Sequence, residues 1–480
     1  PTPRINPDSG VSMDTGVTMD SGVEVDAGSM ADAGMTADAG AAFPERSCAD
    51  FSGTCVSFEP GQEAALQEAV NALGDNTTVV LGEGTFSFDN AVTFRRADSV
   101  TFVGQGIDVT TLDFSAQATQ SNGVDVIGDD FTIEHMTIVD AKKDALRIED
   151  STDVRIRFVK TTWSAGPVTT NGAYGIYPVR CRNVLLEDSE AYNAADAGLY
   201  VGQSINVIVR RNIARQNVAG LEIENTQFAD VYENVVEDNS TGLVVFDLPG
   251  NPVIGRDVKV HDNVIRDNNR DNFALAGTTV ATVPAGTGTF VLASRRVEFA
   301  NNTYARNKTT DIAILSGLVI EANPASWAIP LSEVVGSTVG IELTVQGDNL
   351  LNFSTGEIWI HDNTHEGSGT APDASDMDAR PLGALLGVVY FGAGAVDTLL
   401  YDGVGEDVDP STPANNTNRN RICAENEGDA TWATLGILDL IETIGGGGFP
   451  TVEDIYRVSS PYAPFNCTGF TNGPIADVSL

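Results

Sequence analysis

The sequence predicts an all-β chain folded as a parallel β-helix, a solenoid in which each coil repeats the one before it. Three near-identical phrases recur: AYGIYPV at 173–179, AGLYVGQS at 197–204 and AGLEIEN at 219–225. Gly175, Gly198, Gly220 and Gly242 are 23, 22 and 22 residues apart, the length of one coil. Apolar and polar residues alternate within each phrase, so one set should point inward and the other outward. The predicted inward residues are Leu146, Ile176, Leu199, Leu221 and Leu243.

The first 45 residues differ in composition from the rest. Six Asp-(Ser/Thr/Ala)-Gly triplets recur every six residues from Asp8 to Asp38, and no aromatic residue precedes Phe43. Such a segment cannot bury enough apolar surface to offset chain entropy, so we expect a disordered acidic tether. Calcium binding is the alternative, although the carboxylates lack the converging ligands of known calcium loops. Tethers of this kind are typical between a lipid-anchored N-terminus and a cell-surface domain, and the chain opens on Pro1 without a signal peptide.

Composition excludes several classes of partner. The 480 residues are 42% hydrophobic, enough for a long core, and contain no apolar run of about 18 residues that would indicate a transmembrane span. Lys and Arg number 27 against 67 for Asp and Glu, a net charge of −40. This charge repels nucleic acid and anionic membranes, so neither is an expected partner, and we expect a monomer.

Five cysteines indicate the compartment. Cys48 and Cys55 lie close together before the first coil, Cys423 and Cys467 bracket the tail, and Cys181 lies alone within a coil. We predict disulfides in the two pairs and a buried free thiol at Cys181, which places the protein outside the cytoplasm, secreted or at the cell surface. A zinc site is the alternative, but no CxxC motif is present and no metal site is predicted.

The chain divides into four predicted regions: the tether at 1–45, an N-terminal cap and first coil at 46–98, the β-helix at 99–369 and an irregular C-terminal cap at 370–480. A helix at 62–73, with Leu66 and Val70 on its apolar face, should cover the open end of the solenoid, because an exposed terminal coil is an unpaired sheet edge. Segments 163–172, 276–290 and 321–345 exceed the coil length and are predicted insertions, which commonly form binding faces.

Asparagines recur where the second strand of each coil ends. Asn212, Asn234 and Asn263 should therefore stack in a ladder, each bonding to its copy in the next coil at the strand spacing of about 4.8 Å. His261 and His361 hold equivalent positions in VHDN and IHDN, and are predicted to be outward surface residues rather than metal ligands.

Outward positions of adjacent coils supply the candidate site. Tyr, Glu, Asp and Gln side chains concentrate there beside the long loop, and aromatic rings next to carboxylates suit a sugar, whose faces stack while its hydroxyls form hydrogen bonds. At a ligand site, Glu222→Gln and Tyr200→Ala should abolish binding and hardly change the melting temperature. The alternative is an ordinary sheet surface, on which these substitutions would lower stability and no ligand would be found. The candidate catalytic residues are Tyr200, Glu222, Glu224 and Asp196, and the candidate substrate-binding residues are Trp163 (covering the site), Tyr177, Arg180, Gln203, Asn225, Asp247, Arg147 and Lys143.

These phrases carry a family resemblance. The helix at 62–73 with the strand after it resembles the N-terminal cap of the pectin-lyase-like superfamily, whose β-helices are right-handed. NGAYGIYPV, DAGLYVGQS, AGLEIEN, ADVYEN and VFDLPG, with RIC at 421–423, resemble a family of exported parallel β-helix repeat proteins of unestablished activity. That family is more distantly similar to polysaccharide lyases, epimerases and glycosidases, and to a periplasmic β-helix protein that assists copper-site maturation. Their catalytic motifs are absent here, so the resemblance implies a fold and no catalytic residues.

Three functional hypotheses follow. The first is that the protein binds a polysaccharide and, if it is an enzyme, processes it. A hydrolase would use Glu222 and Glu224. A lyase or epimerase would need a base such as Tyr200 or Lys143, and calcium as the cation that neutralises a uronate. The second is a non-catalytic assembly or interaction protein acting with a co-exported partner. The third is metal delivery, for which the sequence has no Cys, His or Met cluster.

Overall fold

The computed structural model describes residues 45–95, 97–376 and 378–480, and the predicted tether therefore lies outside the described residues except for Glu45. The described chain is a parallel β-helix in which each strand pairs with the strand one coil away. One sheet, which we call the glycine-led sheet, has 12 strands. All neighbouring strands in it are parallel except the first two in the following list, which are antiparallel. In spatial order they are Tyr456–Ser459, Thr431–Thr434, Leu399–Tyr401, Thr310–Leu315, Thr287–Leu292, Thr241–Phe246, Ala219–Glu224, Ala197–Gly202, Tyr174–Val179, Leu146–Glu149, Val124–Ile127 and Val92–Arg95.

The second sheet has 20 strands in two rows, joined because Thr132–Val139 and Thr152–Thr162 are long enough to belong to both. The first row is Thr54–Phe58, Thr77–Leu81, Val100–Val103, Thr132–Val139, Thr152–Thr162, Arg182–Glu187, Ile205–Arg210, Gln227–Tyr232, Arg256–His261, Arg295–Ala300, Gly356–His361 and Ile422–Glu425. The second row adds Gly84–Ser87, Thr110–Asp113, Glu190–Tyr192, Ile213–Arg215, Val235–Glu237, Val264–Arg266, Thr303–Ala305 and Thr364–Glu366.

An α-helix covers the start of the coil. Glu63–Asn71 buries Leu66 and Val70 and packs beside Val92–Arg95, which confirms the predicted cap helix. Within the described residues, no helix is both long and apolar enough to cross a membrane. The other α-helices are Pro381–Val389 and Ile437–Gly445, and the 3₁₀ helices are Cys48–Asp50, Val280–Thr282, Gly317–Val319, Pro324–Trp327 and Pro413–Asn415.

The repeated glycines and asparagines fit together inside the coil. Asn212 Nδ2 donates to Asn234 Oδ1 at 2.9 Å, and Asn234 Nδ2 donates to Asn263 Oδ1 at 2.9 Å, so the predicted ladder is confirmed. A second ladder begins at Asn217 and Asn239, which are joined at 3.1 Å. A side chain at the repeated glycines would collide with this second ladder: Gly198 faces Asn217, Gly220 faces Asn239 and Gly242 faces Asn268. The glycines recur because the ladder leaves no room for a Cβ atom.

The predicted inward residues and cysteines behave as expected. Leu146, Ile176, Leu199, Leu221 and Leu243 are all buried in the main core. Disulfides join Cys48 to Cys55 and Cys423 to Cys467. Cys181 is a buried free thiol, and burial raises its pKa to about 12.

Parallel pairing continues beyond residue 369. Leu399–Tyr401 pairs with Thr310–Leu315, and Ile422–Glu425 pairs with Gly356–His361. The region predicted as a C-terminal cap therefore contains coil strands as well as two helices. The insertion predicted at 321–345 belongs to a small antiparallel sheet with the strands Ala328–Pro330, Thr344–Gln346 and Asn349–Leu351.

Candidate functional site

A cavity of about 250 Å³ lies on the outer face of the glycine-led sheet. We call it the carboxyl cavity, because Asp196, Glu222 and Glu224 line one part of it. Apolar side chains of the following strands line the other part. Its sheet residues are Tyr174, Asp196, Glu222, Glu224, Val244, Phe246, Phe290 and Leu292, and its covering residues are Leu248, Thr278, Thr279, Val280, Thr282, Val283 and Ile320.

Strand register explains why the cavity is acidic on one side and apolar on the other. Glu222 pairs with Val244, which pairs with Phe290, so one outward column changes from carboxylate to apolar within two coils. The neighbouring column changes in the same way from Glu224 to Phe246. Side chains two residues apart on a strand point to the same face, so both columns contribute to one surface.

Glu222 is the least compensated carboxyl group of the cavity. Its residue is 4% exposed, and no hydrogen bond joins its side chain to any described residue. Burial, with the nearby charges of Asp196 and Glu224, raises its pKa well above the usual range. A raised pKa favours the protonated form of a carboxyl group, the form that can act as an acid.

Asp196 and Glu224 have partners. Asp196 accepts a hydrogen bond from Tyr174, and burial raises its pKa to about 7. Glu224 accepts from the Tyr200 hydroxyl and from Asn251 Nδ2, each at 2.9 Å. Burial raises the Glu224 pKa, and these hydrogen bonds oppose the shift. The three carboxyl groups therefore have different environments, because hydrogen bonds oppose the effect of burial at Asp196 and Glu224 but not at Glu222.

Three tyrosines pack beside the carboxyl groups. The Tyr177 ring stacks on Tyr174 at 4.3 Å between centroids and on Tyr200 at 4.4 Å. Tyr200 is 1% exposed, so its side chain supports Glu224 through a hydrogen bond and does not contact solvent. Burial raises the Tyr200 pKa well above 10, which argues against the predicted role of Tyr200 as a base.

The segment 276–283 forms the roof of the cavity. Asn272 Nδ2 donates to the carbonyl groups of Val280 and Val283 at 3.0 Å, which fixes the short helix Val280–Thr282. The next turn is held by Asp373, whose Oδ2 accepts from the backbone of Ala285 at 3.0 Å. Position 279 is exposed on the outer side of the roof while lining the cavity.

A larger apolar groove of about 540 Å³ adjoins the carboxyl cavity. The two share Leu248, Thr278, Thr279, Thr282, Phe290 and Ile320. The groove extends toward the start of the helix Pro381–Val389, where Pro381 and Leu382 line it. A ligand longer than one ring therefore has a continuous surface to follow.

The predicted position of Trp163 is wrong. The loop 163–172 is largely exposed, but Trp163 itself turns into the core and is 4% exposed. Its indole nitrogen donates to the Ala141 carbonyl oxygen at 2.7 Å. A buried indole needs such an acceptor, and the one available to Trp163 lies inside the coil.

The predicted positions of Asp247 and Asn225 at the site are also wrong. Asp247 is fully buried and accepts from Gly255 N and Asn352 Nδ2, both at 2.7 Å. Asn225 Nδ2 donates to the Val253 carbonyl oxygen at 2.8 Å, and its Oδ1 accepts from the backbone of Leu248. Both residues fasten loops to the strand ends and do not line the cavity.

The basic candidates lie on earlier coils and form ion pairs of their own. Arg147 pairs with Glu149, Arg180 pairs with Glu149 and Asp150, and Lys143 lies 3.9 Å from Asp144. None of the three lines the cavity. Gln203 supports the site indirectly, because its side chain hydrogen-bonds Glu224. Tyr177 likewise contributes by packing on Tyr200.

Sequence reasoning brought together Asp196, Glu222 and Glu224 but missed the roof and the apolar wall. The glycine alignment places Val244 and Phe246 one coil after Glu222 and Glu224 on the outward face. Nothing in the repeat connects these two residues with the segment 276–283. Ile320 and Leu248 come from irregular connections without a periodic signal. The extra length of 276–290 was the signal that could have indicated a cover.

The histidines are not arranged as metal ligands. His261 and His361 lie on the outer face as predicted, and each pairs with two carboxylates, Asp230 and Asp262 for His261 and Glu298 and Asp362 for His361. In the part of the chain that the structure describes, no three His, Cys, Asp or Glu side chains are placed to hold one metal ion.

Several solved structures are similar to the chain. A mannuronan C-5 epimerase A-module of Azotobacter vinelandii has 15% identity and a TM-score of 0.44, covering 71% of this chain and 87% of its own. A hyperthermoactive exopolygalacturonase of Thermotoga maritima has 11% identity and a TM-score of 0.42, with 66% and 88% covered. A mannuronic acid specific family 6 polysaccharide lyase from human gut microbiota has 11% identity and a TM-score of 0.36, with 66% and 77% covered.

No curated protein sequence matches the chain. The family described as "Right handed beta helix region" matches residues 98–256 and 168–355, which together span more than half of the 480 residues. These ranges include every strand of the glycine-led sheet that lines the carboxyl cavity. The chain therefore belongs to the right-handed β-helix family.

Proposed function

We propose that the protein binds a glycan in the carboxyl cavity and hydrolyses a glycosidic bond there. The observation that carries the proposal is the placement of two buried carboxyl groups and the half-buried Asp196 opposite an apolar and aromatic wall in one covered cavity. The face of a sugar ring packs on aromatic and aliphatic side chains, while its hydroxyls need hydrogen-bonding groups such as carboxyl oxygens.

Acid catalysis is the reaction that these carboxyl groups support best. Glu222, whose burial favours the protonated form, donates its proton to the glycosidic oxygen as the bond to the anomeric carbon breaks. Asp196, with a pKa of about 7, is partly ionised and accepts a proton from the water that adds to that carbon. The leaving sugar takes the Glu222 proton, and the anomeric carbon takes the hydroxyl group of the water. Return of the other water proton from Asp196 to Glu222 through solvent restores both groups, so one water is consumed for each bond broken.

Elimination or epimerisation of a uronate is less well supported. The described residues that line the cavity include no lysine or arginine to neutralise a substrate carboxylate, and they carry three acidic groups that repel it. Calcium, which could bridge such charges, stays a prediction. The net charge of −40 also disfavours the binding of anionic polysaccharides.

Binding is tested by calorimetry with neutral tetrasaccharides and with tetragalacturonate. Thr279 is exposed and lines the cavity, so Thr279→Trp should fill part of the cavity and abolish binding. Thr412 is also exposed but does not line the cavity, so Thr412→Trp should leave binding unchanged. The proposal fails if no glycan binds, or if Thr279→Trp binds as tightly as the wild type.

Turnover is tested by mass spectrometry of the products. Hydrolysis adds one water to the sum of the products, whereas a lyase leaves an unsaturated end. Glu222→Gln should lower the rate by about 100-fold or more, the usual contribution of a general acid. Glu366→Gln removes the same charge from an exposed position on the second sheet and should leave the rate unchanged.

We also infer that the protein works outside the cytoplasm. The two disulfides support this location, because such bonds persist in oxidising compartments. Secretion, and anchoring through the N-terminal tether, stay predictions.

A second candidate function is interaction with a co-exported protein. The helix Ile437–Gly445 exposes Leu438, Ile441 and Ile444 at successive three-residue spacing, and Phe449 beyond it is 85% exposed. Cross-linking in cells with the wild type and with Ile441→Glu tests this candidate. A specific partner should disappear in the variant while glycan binding persists.

A further inference from the structure

The carboxyl cavity contains an uncompensated acidic group. Glu222 is buried, lines the cavity and forms no hydrogen bond with the described residues. Buried polar groups in folded proteins nearly always have a partner, and a buried group without one carries a large desolvation cost. A ligand that supplies a donor at this position would remove that cost.

The surrounding charges define what kind of donor is missing. No ion pair within the described residues includes Asp196, Glu222 or Glu224. Glu224 already accepts from Tyr200 and Asn251, which leaves Glu222 and Asp196 as the groups with free acceptor capacity. A neutral hydroxyl could donate to one of them but would leave the repulsion between the carboxylates in place.

We infer that the ligand of the carboxyl cavity carries a protonated amine, held between Glu222 and Asp196, and is thus an amino sugar rather than a neutral or acidic one. The inference rests on the proposed function, that a sugar enters this cavity, and adds the chemical class. An ammonium group has three donors and one positive charge, so it can pair with the Asp196 carboxylate while it donates to the carbonyl oxygen of a protonated Glu222.

The apolar wall strengthens this interaction. Val244, Phe246 and Phe290 line the same cavity and exclude water from one side of the ion pair. Attraction between opposite charges is stronger where water is excluded.

Ammonium binding should depend on pH. The Asp196 pKa of about 7 means that protons compete with the ligand for this carboxylate in the neutral range. Affinity should therefore rise as pH increases toward 7 and fall again at higher pH, where the amine of the sugar, a weak base, loses its proton. Asp196→Asn should weaken binding and remove this rise.

The decisive experiment compares three tetrasaccharides that differ only at carbon 2: β-1,4-linked glucosamine, N-acetylglucosamine and glucose. In calorimetry with the full chain, the glucosamine tetramer should bind at least about tenfold more tightly than the other two, the effect of one charge-assisted hydrogen bond. Asp196→Asn removes the charge that pairs with the amine and should bring the three affinities to within about twofold, and Glu366→Gln should not.

The outcomes separate this inference from the proposed function. One outcome is that the glucose or N-acetylglucosamine tetramer binds as tightly as the glucosamine tetramer, or more tightly, and is still blocked by Thr279→Trp. That result would overturn the inference of an amine and leave the proposal of glycan binding intact. Binding of none of the three would remove both. Glucosamine binding that persists in Thr279→Trp and Asp196→Asn would show attraction to the acidic surface alone, and would likewise overturn the inference.

Discussion

The hydroxyl of Tyr200 donates a hydrogen bond of 2.9 Å to Glu224, one coil further along the glycine-led sheet. The bond is buried, and it connects the tyrosine cluster to the carboxyl cavity. Tyr200 was expected to be an outward ligand-binding residue whose substitution would hardly change the melting temperature. The structure corrects that expectation, because Tyr200 is buried in a second hydrophobic cluster, separate from the main core.

Substitution of Tyr200 should therefore destabilise the protein. Tyr200→Phe removes a donor from a buried carboxyl group and should cost about 1–3 kcal/mol, and Tyr200→Ala should cost about 3–5 kcal/mol through the cavity that it leaves. Tyr192→Phe is the matched control, because its bond to Glu190 is only partly buried. Chemical denaturation measures these costs, and equal effects of Tyr200→Phe and Tyr192→Phe would contradict the prediction.

The stability of the protein should fall as pH rises from about 4 to 7. Burial holds the Asp196 pKa near 7 in the folded chain, against about 3.9 in an unfolded one. Between these values the folded chain keeps a proton that the unfolded chain has lost, so each increase in pH favours unfolding. Asp196→Asn should flatten this slope in denaturation measured across the window. An unchanged slope would show that Asp196 does not titrate in this way.

His365 should have the opposite pH dependence. Burial alone would lower its pKa, but hydrogen bonds to Asp311 and Glu427 outweigh burial and raise the pKa to about 9. Its charge therefore stabilises the fold fully below about pH 6.5, and this contribution is lost as pH rises through 9. His365→Gln should destabilise more at pH 6 than at pH 10. A constant difference in unfolding free energy at the two pH values would refute the role of the charge.

The asparagine ladder should be sensitive to a single break. Asn234 donates to Asn263 Oδ1 at 2.9 Å and accepts from Asn212 Nδ2 at 2.9 Å, so Asn234→Ala leaves buried groups unpaired on both sides. We expect a loss of about 3 kcal/mol or more. Asn90→Ala, at an exposed position, should cost about 0.5 kcal/mol or less. A similar small cost for both variants in thermal or chemical unfolding would mean that the ladder adds little to stability.

Periodicity explains which parts of the molecule could be predicted. The glycine and asparagine repeats recur because coils stack in register, and the same register places Glu222 and Glu224 on one face. Trp163, Asp247 and Asn225 depend instead on the nearest buried acceptor or donor, which only the folded chain supplies. The roof at 276–283 is an insertion, so its position depends on contacts such as that between Asp373 and Ala285 rather than on the repeat.

The last strand of the glycine-led sheet runs against the others, because Tyr456–Ser459 pairs with Thr431–Thr434 in antiparallel register. A second molecule that added its first coil at this end would have to match parallel strands to a reversed edge. The hydrogen-bond spacing of parallel and antiparallel ladders differs, so the parallel stacking does not continue unchanged across this strand. The reversed strand thus interrupts the parallel stacking that head-to-tail filament growth would extend.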